Sequence, residues 1–144
     1  MWLVGCIVGL LAAMAASSGS ATTDKLSTVS APLLGTWTKT MTNKTWRKHG
    51  VTYENPGHWG ITILNDGRLN LLEPPGQPPD ILTHMSAMTV GPSLVVGPTA
   101  DGFCVQKVGY TWKVTGSTLV IAGGAKDNCV PRRVLFTVGK WTKE

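Results

Sequence analysis

From Pro32 onward the chain is a series of strand-length runs in which apolar and polar residues alternate, broken by Gly, Pro, Asn and Asp. A period of two residues is that of a strand with one buried face. The clearest case is "WGITILNDGRLNLL", Trp59 to Leu72. A three-residue loop at Asn65-Asp66-Gly67, with Gly67 left-handed, sets Leu64 against Arg68, Ile63 against Leu69 and Ile61 against Leu71. Trp59, Ile61, Ile63, Leu69 and Leu71 then share one face, while Thr62, Leu64, Arg68 and Asn70 share the other. A two-residue loop would set Ile63 opposite Asn70 and mix the faces, because one slipped residue inverts every side chain.

A second hairpin is predicted over "VGYTWKVTGSTLVIA", Val108 to Ala122, turning at Thr115-Gly116. That turn pairs Val114 with Ser117, Trp112 with Leu119 and Tyr110 with Ile121, with Lys113 and Thr118 on the opposite face. Cross-strand aromatic and aliphatic pairs of this kind contribute about 0.2–1 kcal/mol each. "HMSAMTV" and "SLVV", on either side of Gly91-Pro92, read as a third hairpin, although the first half also suits a short helix. "NKTWRKHG", Asn43 to Gly50, reads as a helical turn between the first two strands. "RVLFTVGKWTKE" reads as a closing strand with Val134, Phe136 and Val138 on one side. About seven or eight antiparallel strands result, enough to close into a barrel with no exposed edge. The predicted fold is all-β, a single up-and-down antiparallel barrel with one short helix.

Composition adds a compartment. Residues 1–21 begin apolar to about Met14 and then turn small and polar, the pattern of a secretory leader. Cleavage fits after Ala15 or after Ala21. No Lys or Arg precedes the apolar run, so an uncleaved N-terminal anchor is the other reading, and the only membrane contact expected. Residues 22–31 read as a flexible lead-in, and 32–144 as one domain. All 13 Lys and Arg and all 8 Asp and Glu follow the leader, for a net charge of +5. The cations are scattered in sequence, with Arg47-Lys48 and Arg132-Arg133 the densest pairs. They form no basic stripe interleaved with aromatics, so no nucleic-acid partner is expected. Once Cys6 leaves with the leader, Cys104 and Cys129 remain, and in an exported domain two cysteines point to one disulfide. The predicted ladder, extended, puts Cys104 opposite Asp127, two residues from Cys129.

The run "LLGTWTKT", Leu33 to Thr40, then acquires a meaning. Its Gly35-Thr36-Trp37 resembles the Gly-x-Trp that opens the first strand of lipocalins and of lipocalin-like, calycin-type barrels. The hairpin "ITILNDGRLNL", the segment "YTWKVTGSTLVI", "DNCVPR" and the terminal "WTK" follow in the order seen in small secreted bacterial proteins of that type. The resemblance runs from Gly35 to Lys143. It implies that Trp37 plugs the closed end of the barrel beneath a basic side chain from the last strand, and Arg132, Arg133 and Lys140 are the candidates. Gly35, lacking a side chain, allows close backbone approach at the rim, and a cation over the Trp37 ring adds about 0.5–2 kcal/mol.

Candidate chemistry is sparse. His49, His58 and His84 share no ligand spacing, and an axial role for His58 or His84 toward haem lacks a second supporting feature. No nucleophile elbow, phosphate loop or carboxylate pair is present. No enzyme activity, metal or cofactor is therefore expected. Asn43-Lys44-Thr45 is a glycosylation sequon. Trp59, Ile61, Ile63, Leu69, Leu71, Tyr110, Trp112, Leu119 and Ile121 face inward, as packing or as the lining of a cup for a small, mostly apolar ligand. A protein-interaction or inhibitor module is the reading from another class, with Trp46 and the loop "PPGQPPD" (residues 74–80) as its contact points.

Overall fold

The structure is a computed structural model that describes residues 28–74, 84–100 and 102–144. Eight strands close into an antiparallel up-and-down barrel. They are β1 (Gly35–Met41), β2 (Gly57–Ile63), β3 (Arg68–Leu72), β4 (His84–Val90), β5 (Ser93–Thr99), β6 (Val108–Thr115), β7 (Thr118–Gly123) and β8 (Trp141–Lys143). Helix α1 (Asn43–Lys48) joins β1 to β2, and α2 (Val130–Thr137) precedes β8. The β1–β2, β5–β6 and β7–β8 connections lie at one end, the mouth. The turns at 64–67, 91–92 and 116–117 lie at the other, the base. The leader expected over residues 1–21 and most of the Pro-rich loop lie outside the described residues.

The first hairpin has the expected register: Ile61 pairs with Leu71, Ile63 with Leu69, and Gly67 is left-handed at φ 85°. The β4–β5 hairpin around Gly91-Pro92 and the helical turn after β1 are also present. Thr42 caps α1, its hydroxyl accepting the Thr45 N–H at 3.1 Å.

The second hairpin is displaced by one rung from the expected pairing. Its loop is Gly116-Ser117, so Thr115 pairs with Thr118, Val114 with Leu119, Trp112 with Ile121 and Tyr110 with Gly123. Gly116 has φ 57°, which suits the first central position of a type II′ turn, a place where glycine alone is comfortable. The shift is two residues, so the same side chains still face inward. Extended past the strand ends, the observed register sets Cys104 opposite Cys129 itself. The two form a disulfide with Cα atoms 5.3 Å apart.

The closing segment departs further. Residues 130–137 are helical, and only Trp141–Lys143 form the last strand. Pro131 stands in the first turn of α2, where its missing N–H costs nothing. Val130, Val134, Leu135 and Val138 recur at helical rather than strand spacing. With three residues, β8 pairs β1 only at Trp37 and Thr38, and β7 only at Thr118 and Leu119. The barrel is thus zipped by strand pairing in its base half. In the mouth half α2 packs on β7 and fills the gap between β7 and β1.

The interior is solid. Trp37, Trp59, Trp141, Tyr110 and Phe136 are all fully buried, among Leu33, Ile61, Ile63, Leu69 and Leu94. Phe136 of α2 reaches within 5.4 Å of the Tyr110 ring and 6.5 Å of Trp141. At the base, Val29 and Leu33 are buried and the Ser30 hydroxyl bonds Thr89, so the packed domain begins ahead of Pro32.

Reduction of Cys104–Cys129 releases a closed loop of 25 residues, a constraint worth about 3 kcal/mol. Urea unfolding with and without reductant should show that loss, and mass spectrometry should find Cys104 and Cys129 alkylatable only after reduction. Equal urea midpoints would contradict the bridge.

Candidate functional site

The mouth gathers the protein's polar chemistry. On β1 the inward positions are Trp37, Lys39 and Met41, so the pattern drives a lysine into the barrel. Lys39 is 7% exposed. Its Nζ donates to the Leu135 carbonyl and, at 2.8 Å, to the Val138 carbonyl, and it lies 4.2 Å from the Trp141 ring centroid. These are the carbonyls that the end of α2 leaves without intrahelical partners, and a cation there also opposes the negative end of the helix dipole. Burial, with no carboxylate alongside, pushes the Lys39 ammonium down to about 7.

Opposite Lys39, at the start of α2, sits a paired charge. Asp127 is fully buried and Arg132 is 4% exposed. Arg132 Nε donates to Asp127 Oδ2 at 2.7 Å and Nη2 to Oδ1 at 2.9 Å, a bidentate fork. Its remaining donors reach the Gly97 carbonyl of β5 at 2.8 Å and the Gln106 carbonyl at 3.0 Å. Tyr110 Oη donates to Asp127 Oδ2, and the Cys129 N–H to Oδ1. Burial alone would raise the Asp127 carboxyl, but Arg132, Tyr110 and the Cys129 N–H together hold it below the usual carboxylate range. Burial and then Asp127 push the Tyr110 phenol up.

Between this pair and α1 lies an apolar crevice. Its volume is about 20 Å³, room for roughly one water-sized sphere. Trp46, Trp59, Leu71, Met85, Phe103 and Phe136 line it. Trp46 and Trp59 meet edge to face, centroids 5.8 Å apart, and both indole N–H groups donate to the Asn55 carbonyl at 3.1 Å. One backbone oxygen thereby fixes both rings. A shallower open cleft of about 500 Å³ follows the seam outside Lys39, between β1 and residues 138–142.

The residues singled out from sequence separate into two groups. Trp59, Ile61, Ile63, Leu69, Leu71, Tyr110, Leu119 and Ile121 all face inward and are buried, but only Trp59 and Leu71 border the crevice. The others pack as core. Trp112 faces inward and is half-buried, its indole N–H without a hydrogen-bond partner among the described residues. The base closes on Trp37, which donates to the Leu33 carbonyl at 2.8 Å. The cation above it is Lys143, 5.2 Å from the ring centroid, rather than Arg132, Arg133 or Lys140. Those three precede β8, whereas Lys143 is directly opposite Trp37 in the β1–β8 ladder. A Cβ on Gly35 would come within 3.2 Å of the Lys143 side chain, so glycine leaves room for that cation. Trp46, expected as an exposed contact, is 1% exposed, because α1 is amphipathic and turns it inward. His49, His58 and His84 are exposed and apart, and His84 bonds Asn70 at 3.0 Å. Among the described residues no group of His, Cys, Asp and Glu could hold a metal ion, and no helix is long and apolar enough to cross a membrane.

The residues that sequence reasoning missed are Lys39 and the buried role of Asp127. A lysine inside the alternation Trp37, Lys39, Met41 is the visible signal for the first. The second leaves none beyond its place in "DNCVPR".

Two stability measurements follow from these buried charges. Between about pH 7 and pH 9.5 the unfolded Lys39 keeps a proton that the folded one has lost, so stability rises with pH, by up to about 1.4 kcal/mol per unit. Lys39→Met should flatten that slope in urea melts across the range. Arg132→Met strands Asp127 in the core and should cost about 3–5 kcal/mol. Adding Asp127→Asn should recover part of it, a coupling that a double-mutant cycle reads directly. Since the folded Asp127 pKa is depressed, its contribution is complete above about pH 4 and is lost on further acidification.

No protein-family model matches the chain, and no curated protein or solved structure matches it either.

Proposed function

We propose that this is an exported, non-catalytic binding module of lipocalin-like, calycin type that takes an apolar group of a small ligand in the crevice at its mouth. The observation that carries this reading is the crevice itself, an apolar recess walled by four aromatic residues and bordered by exposed loops. The remainder of the barrel is filled with side chains, so the bound group is small and the rest of the ligand lies on the rim. Burial of apolar ligand surface supplies the driving force, about 25 cal/mol per Å².

The order of motifs from Gly35 to Lys143 supports the family reading, and the leader pattern of residues 1–21 supports export. The Cys104–Cys129 disulfide agrees with an oxidising compartment.

Tryptophan fluorescence against a panel of lipids and apolar metabolites tests the site, because Trp46 and Trp59 form its wall. A true ligand quenches or shifts the emission. Phe103→Ala should then weaken binding about tenfold, a change of about 1.4 kcal/mol, and Met85→Trp should block it by filling the recess. An emission spectrum that no member of the panel changes would reject the proposal.

A further inference from the structure

Five of the cations that look scattered in sequence fall at one end of the barrel. Lys44, Arg47 and Lys48 are exposed on α1, Lys107 is exposed just ahead of β6, and Lys126 is exposed just after β7. All five belong to connections at the mouth. The only acidic residue described in those connections that reaches solvent is Glu54, and Glu73 stands in the β3–β4 connection at the same end; each is half-buried. The base is balanced by contrast, with Arg68 paired to Asp66 at 2.8 Å.

Exposed apolar side chains share the mouth. Tyr53 is 62% exposed, Phe103 51% and Val105 73%. Tyr53 adjoins Glu54, which borders the same crevice as Phe103, and Phe103 and Val105 flank a second small recess beside the disulfide. Aromatic and aliphatic tips on the same end as the cations match the two layers of a bilayer surface, an apolar boundary and phosphate headgroups.

We propose that the mouth rim is a docking surface for an anionic lipid bilayer, with Tyr53, Phe103 and Val105 dipping into the interface and Lys44, Arg47, Lys48, Lys107 and Lys126 meeting the headgroups. An acidic protein or a nucleic acid would use the cations but would leave the three apolar tips in water. A bilayer uses both. The surface serves whether or not the crevice holds a ligand, so it stands apart from the small-molecule reading.

The test is sedimentation of the full chain with vesicles of phosphatidylcholine alone and of a seven-to-three mixture of phosphatidylcholine and phosphatidylserine. Binding should occur on the mixed vesicles and fall as salt is raised. Each cation near an anionic surface is worth about fivefold in partition, so the exposed pair Arg47→Gln with Lys48→Gln should weaken binding about 25-fold. Phe103→Ser with Val105→Ser should weaken it at unchanged salt dependence, while Lys113→Gln, on the barrel wall, should leave it unaltered. Circular dichroism verifies that each variant folds. No binding to the mixed vesicles overturns the proposal. So does binding that the rim variants do not alter, which would place the contact in the apolar N-terminal stretch, and so does loss through Arg47 and Lys48 with no effect of Phe103 and Val105, which would favour an acidic macromolecule.

Discussion

Closing eight antiparallel strands on themselves removes both sheet edges but leaves a lumen that side chains must fill. In this protein strand pairing closes only the base half, because β8 stops after three residues. The mouth half is closed by a helix. A helix in that place brings its own requirements: its terminal carbonyls need donors, and its apolar face must meet the lumen. Phe136 and Leu135 meet the second requirement by entering the core. Lys39 meets the first, reaching from β1 to the Leu135 and Val138 carbonyls. The lysine buried in the barrel is therefore explained by the short strand.

Much of the fold was legible from alternation alone, and the reason is visible in the hairpins. Ile61 and Ile63 against Leu69 and Leu71 permit one register, since any odd slip would turn them all to solvent. Alternation cannot detect an even slip. Alternation alone therefore allows Tyr110 and Trp112 a pairing one rung away from the observed one, and only the positive φ that Gly116 supplies to its turn fixes it. Residues 130–137 show the converse difficulty: Val134, Phe136 and Val138 satisfy a strand pattern while Val130, Val134, Leu135 and Val138 satisfy a helical one. Pro131 decides between them, for a proline suits the first turn of a helix and interrupts a strand inside a sheet.

The candidate site was less legible, for a physical reason. It is built from backbone as much as from side chains. Asn55 acts through its carbonyl oxygen, which holds Trp46 and Trp59, and no side-chain pattern announces that. The rim is similar. Lys44, Lys107 and Lys126 are far apart in sequence, and they become neighbours of one end only because successive connections return to the mouth.

The Asp127–Arg132 pair gives that end its definition. Burying two charges is a poor source of net stability, since desolvation offsets most of the attraction. Its effect is on geometry. An apolar helix face alone can slide along a lumen by small steps at little cost. The Arg132 guanidinium admits no such freedom, because its fork fits one carboxylate while its other donors require the Gly97 and Gln106 carbonyls. Two residues along, the disulfide fixes the same stretch to the β5–β6 connection. With α2 held in one register, Phe136 sits at one depth. Phe136 and Arg132 both line the crevice, so the size of any group the mouth accepts is decided by a salt bridge that forms part of its wall.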